Sequence, residues 1–264
     1  MFTAKRNIDL FKHFSAIHFK KMRYFGMNTI TELITNILFI VMNILFWQTI
    51  YNYQLNLSWT YQQMLVFLAY GELFYAFKNG FFQATTKFWV LIVTGKIDAY
   101  LIRPVNPVYR IIIANMDFME LVKGSFMFVF LLIISKVNFH FSFLVFSIII
   151  CFIATFIYSL IELILGYLSF QFGKIEVVFE LIDSLVRFNK YPLNILPKGF
   201  FYFFIFGLPL AFISTFPALI TIDQLKLSTC LYLFLLSVLL LFFWLGLHQF
   251  FWQRGLKSYE SYNG

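Results

Sequence analysis

The chain has 264 residues, 61% of them hydrophobic and 22% aromatic, with only 12% charged and a formal net charge of +8. That composition excludes a soluble globular domain and points to an integral membrane protein. No polar block is longer than a loop, which excludes a soluble catalytic domain. The positive charge gathers in segments expected on the cytoplasmic side, so it reads as topology and contact with anionic membrane lipids, with no nucleic acid as partner.

Residues 1–25 interleave Lys5, Arg6, Lys12, Lys20, Lys21 and Arg23 with Phe2, Leu10, Phe11, Phe14, Ile17 and Phe19. This pattern predicts an amphipathic helix lying in the inner interface, with the N-terminus cytoplasmic and retained. The first span is expected over Thr29 to Ile50, where Glu32, Asn36 and Asn43 share one face that should look into protein. A short outer loop leads to the second span, about Gln62 to Phe82, with Glu72, Asn79 and Gln83 on one stripe and Lys78 off it.

The loop that follows, KFWVLIVTGKIDAYLIRPVNP from Lys87 to Pro107, is too patterned to be a mere connection. Lys87, Lys96 and Arg103 place it in the cytoplasm. Phe88 and Trp89 open an apolar run far too short for the roughly 20 residues of a span, so it should lie on the membrane surface or against a partner. Gly95 offers a break, Asp98 to Arg103 through Leu101 reads as a short helix, and Pro104 and Pro107 are expected to stop it. The bland alternative is an interfacial loop that only anchors spans two and three.

The third span is expected over Val108 to Ile134, starting with Asp117, Glu120 and Lys123, which allows a pair between Glu120 and Lys123. The fourth, about Phe141 to Phe170, holds Glu162 and is long enough to tilt or to project into the cytosol. Beyond it, Glu176, Glu180, Asp183 and Arg187 fall on one helical face, with apolar residues covering the rest. This segment reads either as a cytoplasmic surface helix followed by a span at Gly199 to Ile222, or as the fifth span itself. In the second case Tyr191, Pro192, Pro197, Pro209 and Pro217 belong to a broken, re-entrant hairpin. Either choice gives six crossings. The last span, about Thr229 to Phe251, ends at Trp252, Arg254 and Lys257 and leaves the C-terminus cytoplasmic. No internal repeat is visible, so residues 1–264 are expected to form one all-α membrane domain.

Cys151 and Cys230 fall in apolar spans, and His13, His18, His140 and His248 are scattered, so no metal site is expected. Gly95-Lys96 lacks the earlier glycine and the following Ser or Thr of a phosphate loop, and no G-x-S-x-G or H-E-x-x-H stretch appears. No catalytic residues are therefore expected in this chain.

Three stretches together resemble the permease subunits of ATP-binding cassette exporters of the ABC-2 type, in the six-span bacterial subgroup. They are GKIDAYLIRPVNP (Gly95 to Pro107), RFNKYPLNILPKGF followed by GLPLAFISTFPA (Arg187 to Ala218), and WQRGLKSYESYN (Trp252 to Asn263). The resemblance implies six transmembrane helices, an N-terminal interfacial helix and a coupling helix between spans two and three (87–107). It also implies an outer re-entrant hairpin between spans five and six (191–222), which makes Glu176 to Lys190 the fifth span. It further implies a bacterial inner-membrane location and a separate ATP-binding cassette subunit that binds ATP and Mg, with no cofactor in this chain. A second permease, commonly a different chain, completes the pathway, and Glu176, Glu180, Asp183 and Arg187 would line it or the subunit interface. The competing class is a proton-coupled secondary transporter of amphipathic cations that uses buried carboxylates. Such carriers usually show an internal repeat, and this chain shows none.

Overall fold

The computed structural model describes residues 2–24, 26–53, 59–191, 193, 197–223 and 225–259, and every regular element among them is a helix. Helix α1 (Phe2–Tyr24) lies against the middle of the chain, where His18 Nε2 sits 3.4 Å from the Ile113 carbonyl and Phe19 stacks on Phe118. Helix α2 (Gly26–Asn52) is exposed along most of its apolar surface, but Ile40 and Trp47 are buried and Asn36 and Asn43 turn inward to line cavities. The inward polar face expected from the periodicity is therefore present at these two positions. The Glu32 side chain lies outside the described residues.

Helix α3 (Tyr61–Phe81) starts at a reciprocal cap in which Gln63 N–H donates to Thr60 Oγ1 and Thr60 N–H donates to Gln63 Oε1. Much of it is enclosed by neighbouring helices, and that explains its composition. A helix covered by protein can carry Gln63, Glu72, Lys78 and Asn79 at partly or fully covered positions, while Gln62 in the first turn is exposed. Among the described residues four helices, α3 not among them, are long and apolar enough to cross a membrane: 33–52 of α2, α8 (Phe118–Ser135), α9 (Phe141–Phe172) and α13 (Leu227–Lys257). A fifth candidate is a bent pair, Gly199–Phe206 and Leu210–Ile222, inclined at 73°.

Helices α3 and α8 pack without room for a methyl group. A Cβ at Gly124 would lie 2.4 Å from the Ala76 Cβ, and one at Gly80 would lie 2.3 Å from the Leu121 Cγ. Ala76 and Gly80 thus form a small-residue seam at i, i+4 that lets the two backbones approach.

The expected third span is corrected by the structure. It is two helices, α7 (Pro107–Ala114) and α8, with a break at Asn115 and Met116. Asp117 is the cap of α8: its carboxylate accepts from Met119 N–H at 2.9 Å, and its own N–H donates to the Gly80 carbonyl at 2.8 Å. An aspartate before an apolar run is a helix start, and the periodicity on either side concealed it. Glu120 and Lys123 do form the expected pair.

Helix α9 is 32 residues, about 48 Å at 1.5 Å per residue, so it exceeds the roughly 30 Å hydrocarbon core. Its first two thirds join the main core, while Leu163 and Tyr167 near its end belong to a second, smaller core. Helix α10 (Glu176–Val186) continues as a 3-10 turn at Arg187–Lys190. The chain then runs through α11 (Lys198–Phe206), a 3-10 turn at Leu210–Phe212 and α12 (Thr215–Asp223) before α13. Residues 208–215 are buried, and Tyr70, Thr221 and Ser147 tie α12 to α3 and α9 through hydroxyl contacts of 2.7 and 3.1 Å.

Candidate functional site

The loop singled out in the sequence is a sequence of short helices: α4 (Gln83–Thr86), α5 (Phe88–Val93) and α6 (Asp98–Leu101). Its apolar run neither lies free on a surface nor waits for a partner. Phe88 and Ile92 are buried against Leu163 and Tyr167 of α9, together with Ile97, Val108 and Ile111. Trp252 and Tyr259, from the end of α13 and just beyond it, close this cluster. The first and third of the motif stretches therefore meet in space. Glu260 to Asn263, the rest of the terminal stretch, lie outside the described residues.

The turn itself is fixed by backbone geometry. Gly95 has φ 69°, a left-handed conformation that side chains with a Cβ rarely adopt, and its carbonyl accepts from Asp98 N–H. Pro107 does not stop the short helix; it occupies the first turn of α7, where its missing N–H costs nothing, and Asn106 caps that helix. The Tyr259 hydroxyl donates to Asp98 Oδ1 at 2.6 Å. Burial, and then the hydrogen bond and charge of Asp98, push the Tyr259 phenol up to about 12, so it remains a donor at neutral pH.

Outside the cluster lie Lys87, Lys96, Ile102, Arg103 and Pro104, all exposed, and Trp89, half-buried, while the half-buried Leu101 packs against the cluster. Ile102 is 82% exposed, a large apolar side chain at the tip between Leu101 and Arg103. It was not among the residues singled out from the sequence, because an isoleucine in an apolar-rich chain carries no signal of its own.

A second constellation lies where α3 breaks into this loop. Lys78 Nζ is 2.9 Å from Glu162 Oε2, with side chains 7% and 1% exposed. Lys78 also donates to Thr86 Oγ1 at 2.7 Å, and the Thr85 and Thr86 hydroxyls donate to the two oxygens of Glu162. The ammonium sits 5.8 Å from the centroid of the Tyr158 ring. One ion pair with two hydroxyls thus ties α3, α4 and α9 together. Above it opens a cavity of about 320 Å³ whose lining includes Tyr75, Asn79, Tyr158, Asp183 and Arg187. On the other side of Tyr75 and Asn79 is a cavity of about 210 Å³ lined by Asn36, Glu72, Glu120 and Lys123.

The charged stripe of α10 is thereby divided. Asp183 and Arg187 line the larger cavity, and Glu180 is exposed away from its lining. Glu176 makes an exposed pair with Lys174 at 2.8 Å, and that hydrogen bond and charge raise the Lys174 ammonium above its ordinary value. In the segment from Tyr191, Pro209 and Pro217 are buried and Tyr191 and Pro197 exposed, while Pro192 lies outside the described residues.

Residues 37–263 match the family described as ABC-2 family transporter protein. The chain belongs to that family. It is accordingly a multi-pass membrane protein and a permease of the ABC-2 transporter type. No curated protein matches it in sequence. Within this ABC-2 permease, the short-helix loop presents an exposed tip and the ion-paired cavity gathers buried polar side chains.

Proposed function

We propose that this chain is the transmembrane subunit of an ATP-binding cassette exporter in the bacterial inner membrane, with both termini in the cytoplasm. It forms half of the translocation pathway and pairs with a second permease, either a different chain or a second copy. ATP and Mg act in a separate cassette subunit. The observation that carries this reading is the way the Lys87 to Pro107 loop is built. Phe88 and Ile92 are locked onto α9 and the end of α13, leaving Ile102, Arg103 and Pro104 projecting as an exposed tip. A tip fixed to a long helix moves as one body with it, which is what transmission of a nucleotide-driven movement requires.

In this reading α2, α3, α7 with α8, α9, α10 with its 3-10 turn, and α13 make six crossings, and 191–222 forms an outer re-entrant hairpin. The 73° bend and the buried second arm support the hairpin. Helix α10 has 11 residues followed by four of 3-10 helix, about 25 Å in all, so it crosses where the bilayer thins around the partner subunit.

The test is to purify the tagged chain from native membranes in mild detergent and identify what accompanies it, with stoichiometry. An ATP-binding cassette subunit is expected, and a second permease or its absence decides between a hetero- and a homodimer. Recovery of the chain alone, under conditions that preserve a known ABC complex, would overturn the reading. Export that stops at once on addition of a proton-gradient uncoupler would instead favour a proton-coupled carrier of amphipathic cations.

A further inference from the structure

We infer that the cavity above Lys78 and Glu162 is a binding site for a zwitterionic head group carrying an ammonium and a phosphate, and that such a molecule is the cargo class. The inference rests on the permease reading and names the substrate class of its pathway. A carrier of amphipathic cations would need an excess of carboxylates in the pathway, and the cavity has none. It gathers Lys78 and Arg187 against Glu162 and Asp183, two charges of each sign. A ligand with net charge of either sign gains little there, whereas one that carries both signs meets a partner at each end.

The two pairs play different parts. Glu162 is satisfied by Lys78, Thr85 and Thr86, so it forms the floor. Lys78 has three donors, and its contacts with Glu162 and Thr86 use two, leaving one for an anionic oxygen. Asp183 on α10 and Arg187, the first residue of the 3-10 turn, stand one turn apart, both exposed at the mouth; the Tyr158 hydroxyl donates to Asp183 Oδ1 at 3.5 Å, and among the described residues no ion pair engages either of them. Opposite charges held apart at the rim of a cavity can each be met by a ligand: Arg187 by the phosphate, Asp183 by the ammonium. The lining also includes the aromatic rings of Phe74, Tyr75 and Tyr158, which suit an ammonium carrying methyl or methylene groups. At about 320 Å³ the cavity is at the small end of ligand pockets, large enough for a head group but not for an acyl chain as well. Any tail must lie outside it.

The test uses the purified full-length chain in maltoside detergent without any ATPase. Labelled glycerophosphocholine and glycerophosphoethanolamine are the head-group probes, and dioctanoyl phosphatidylcholine below its micelle concentration is the lipid probe. Choline and glycerol phosphate, the two halves, are competitors. Saturable binding of the zwitterions, with each half at least about tenfold weaker, is expected. Asp183→Asn and Arg187→Gln should each weaken binding by about tenfold or more, with unchanged helical circular dichroism. Tighter binding of the lipid than of the head group identifies a lipid source, and equal binding identifies a soluble one; both support the site. No saturable binding, choline or glycerol phosphate binding as tightly as the whole, or full affinity in both variants would overturn it. Because the assay contains no ATPase, loss of the site while a cassette subunit still co-purifies would leave the permease reading standing.

Discussion

The Tyr259 hydroxyl donates a 2.6 Å hydrogen bond to Asp98, joining the segment after the last helix to the tip-bearing loop. Phe170 packs on the same tyrosine with ring centroids 5.2 Å apart, so the terminal segment braces the loop against α9. Tyr259→Phe removes the donor but keeps the ring. A hydrogen bond of this kind contributes about 1 kcal/mol, roughly a fivefold change in the equilibrium between braced and unbraced loop. We expect transport-coupled ATP hydrolysis to fall by a few fold with the amount of inserted chain unchanged, measured in proteoliposomes with the cassette subunit. Equal coupling in the variant would remove the brace from the mechanism.

The same contact gives a pH dependence. Tyr259 is raised from 10.0 to about 12, so the folded form holds its proton more tightly than the unfolded chain does. Its contribution is complete below pH 10 and is lost as pH rises through about 12. Absorbance titration near 295 nm, wild type minus Tyr259→Phe, should show one phenol ionising in the upper part of that window. A difference curve centred at 10 would contradict the contact with Asp98.

Lys78 and Glu162 form a buried pair, and removing one partner leaves an uncompensated charge. Lys78→Met or Glu162→Leu alone should cost about 3–5 kcal/mol. The double variant Lys78→Met with Glu162→Leu should recover much of that, because an apolar replacement of both partners avoids the desolvation cost. Thermal unfolding in detergent reads this as strong non-additivity; simple addition of the two single losses would show that the groups do not act as a pair.

These two relationships also show what a sequence can and cannot carry. Asn36 and Asn43 could be turned inward, and Glu120 matched to Lys123, because both readings need only the periodicity of one helix. Lys78 looked misplaced because it lies off the Glu72–Asn79 stripe of α3, yet it is the residue whose charge is buried, since its partner Glu162 comes from α9. The division of the α10 stripe between surface and cavity likewise depends on which neighbours cover which turn. Asp117 signalled a helix start locally, but the apolar runs on both sides of it merged into one apparent span. The bracing of the loop by Trp252 and Tyr259 joins opposite parts of the chain, and no single-helix pattern reports it.

The α3–α8 seam gives a packing prediction. At Gly124 an added Cβ would meet the Ala76 Cβ at 2.4 Å and its Cα at 3.1 Å. Gly124→Ala should therefore destabilise the pair by about 1–3 kcal/mol, the cost of overpacking a tight contact. Ala76→Gly on the Gly124→Ala background removes the closest of these contacts and should restore part of the loss. Detergent-resistant folded yield and unfolding temperature measure both variants, and an unaffected Gly124→Ala chain would show that the helices do not approach this closely.

At the tip of the loop, Ile102 is 82% exposed while Phe88 behind it is fully buried. An apolar side chain in that position, flanked by Arg103, has the form of an anchor that enters a pocket on another protein. Ile102→Asp should weaken association with the cassette subunit by about 2 kcal/mol or more, some thirtyfold, because it places a charge in a desolvated contact. Arg103→Ala should have a smaller effect that diminishes further with added salt. Phe88→Ala differs in kind: it opens the second core, so it should lower the unfolding temperature, by about 3–5 kcal/mol in stability, before any effect on association is measured. Co-purification stoichiometry and unfolding temperature, determined on the same three variants, separate these outcomes. If Ile102→Asp left association intact while Phe88→Ala abolished it at unchanged stability, the docking contact would have to involve the buried side of the loop, and α5 would have to leave α9 to make it.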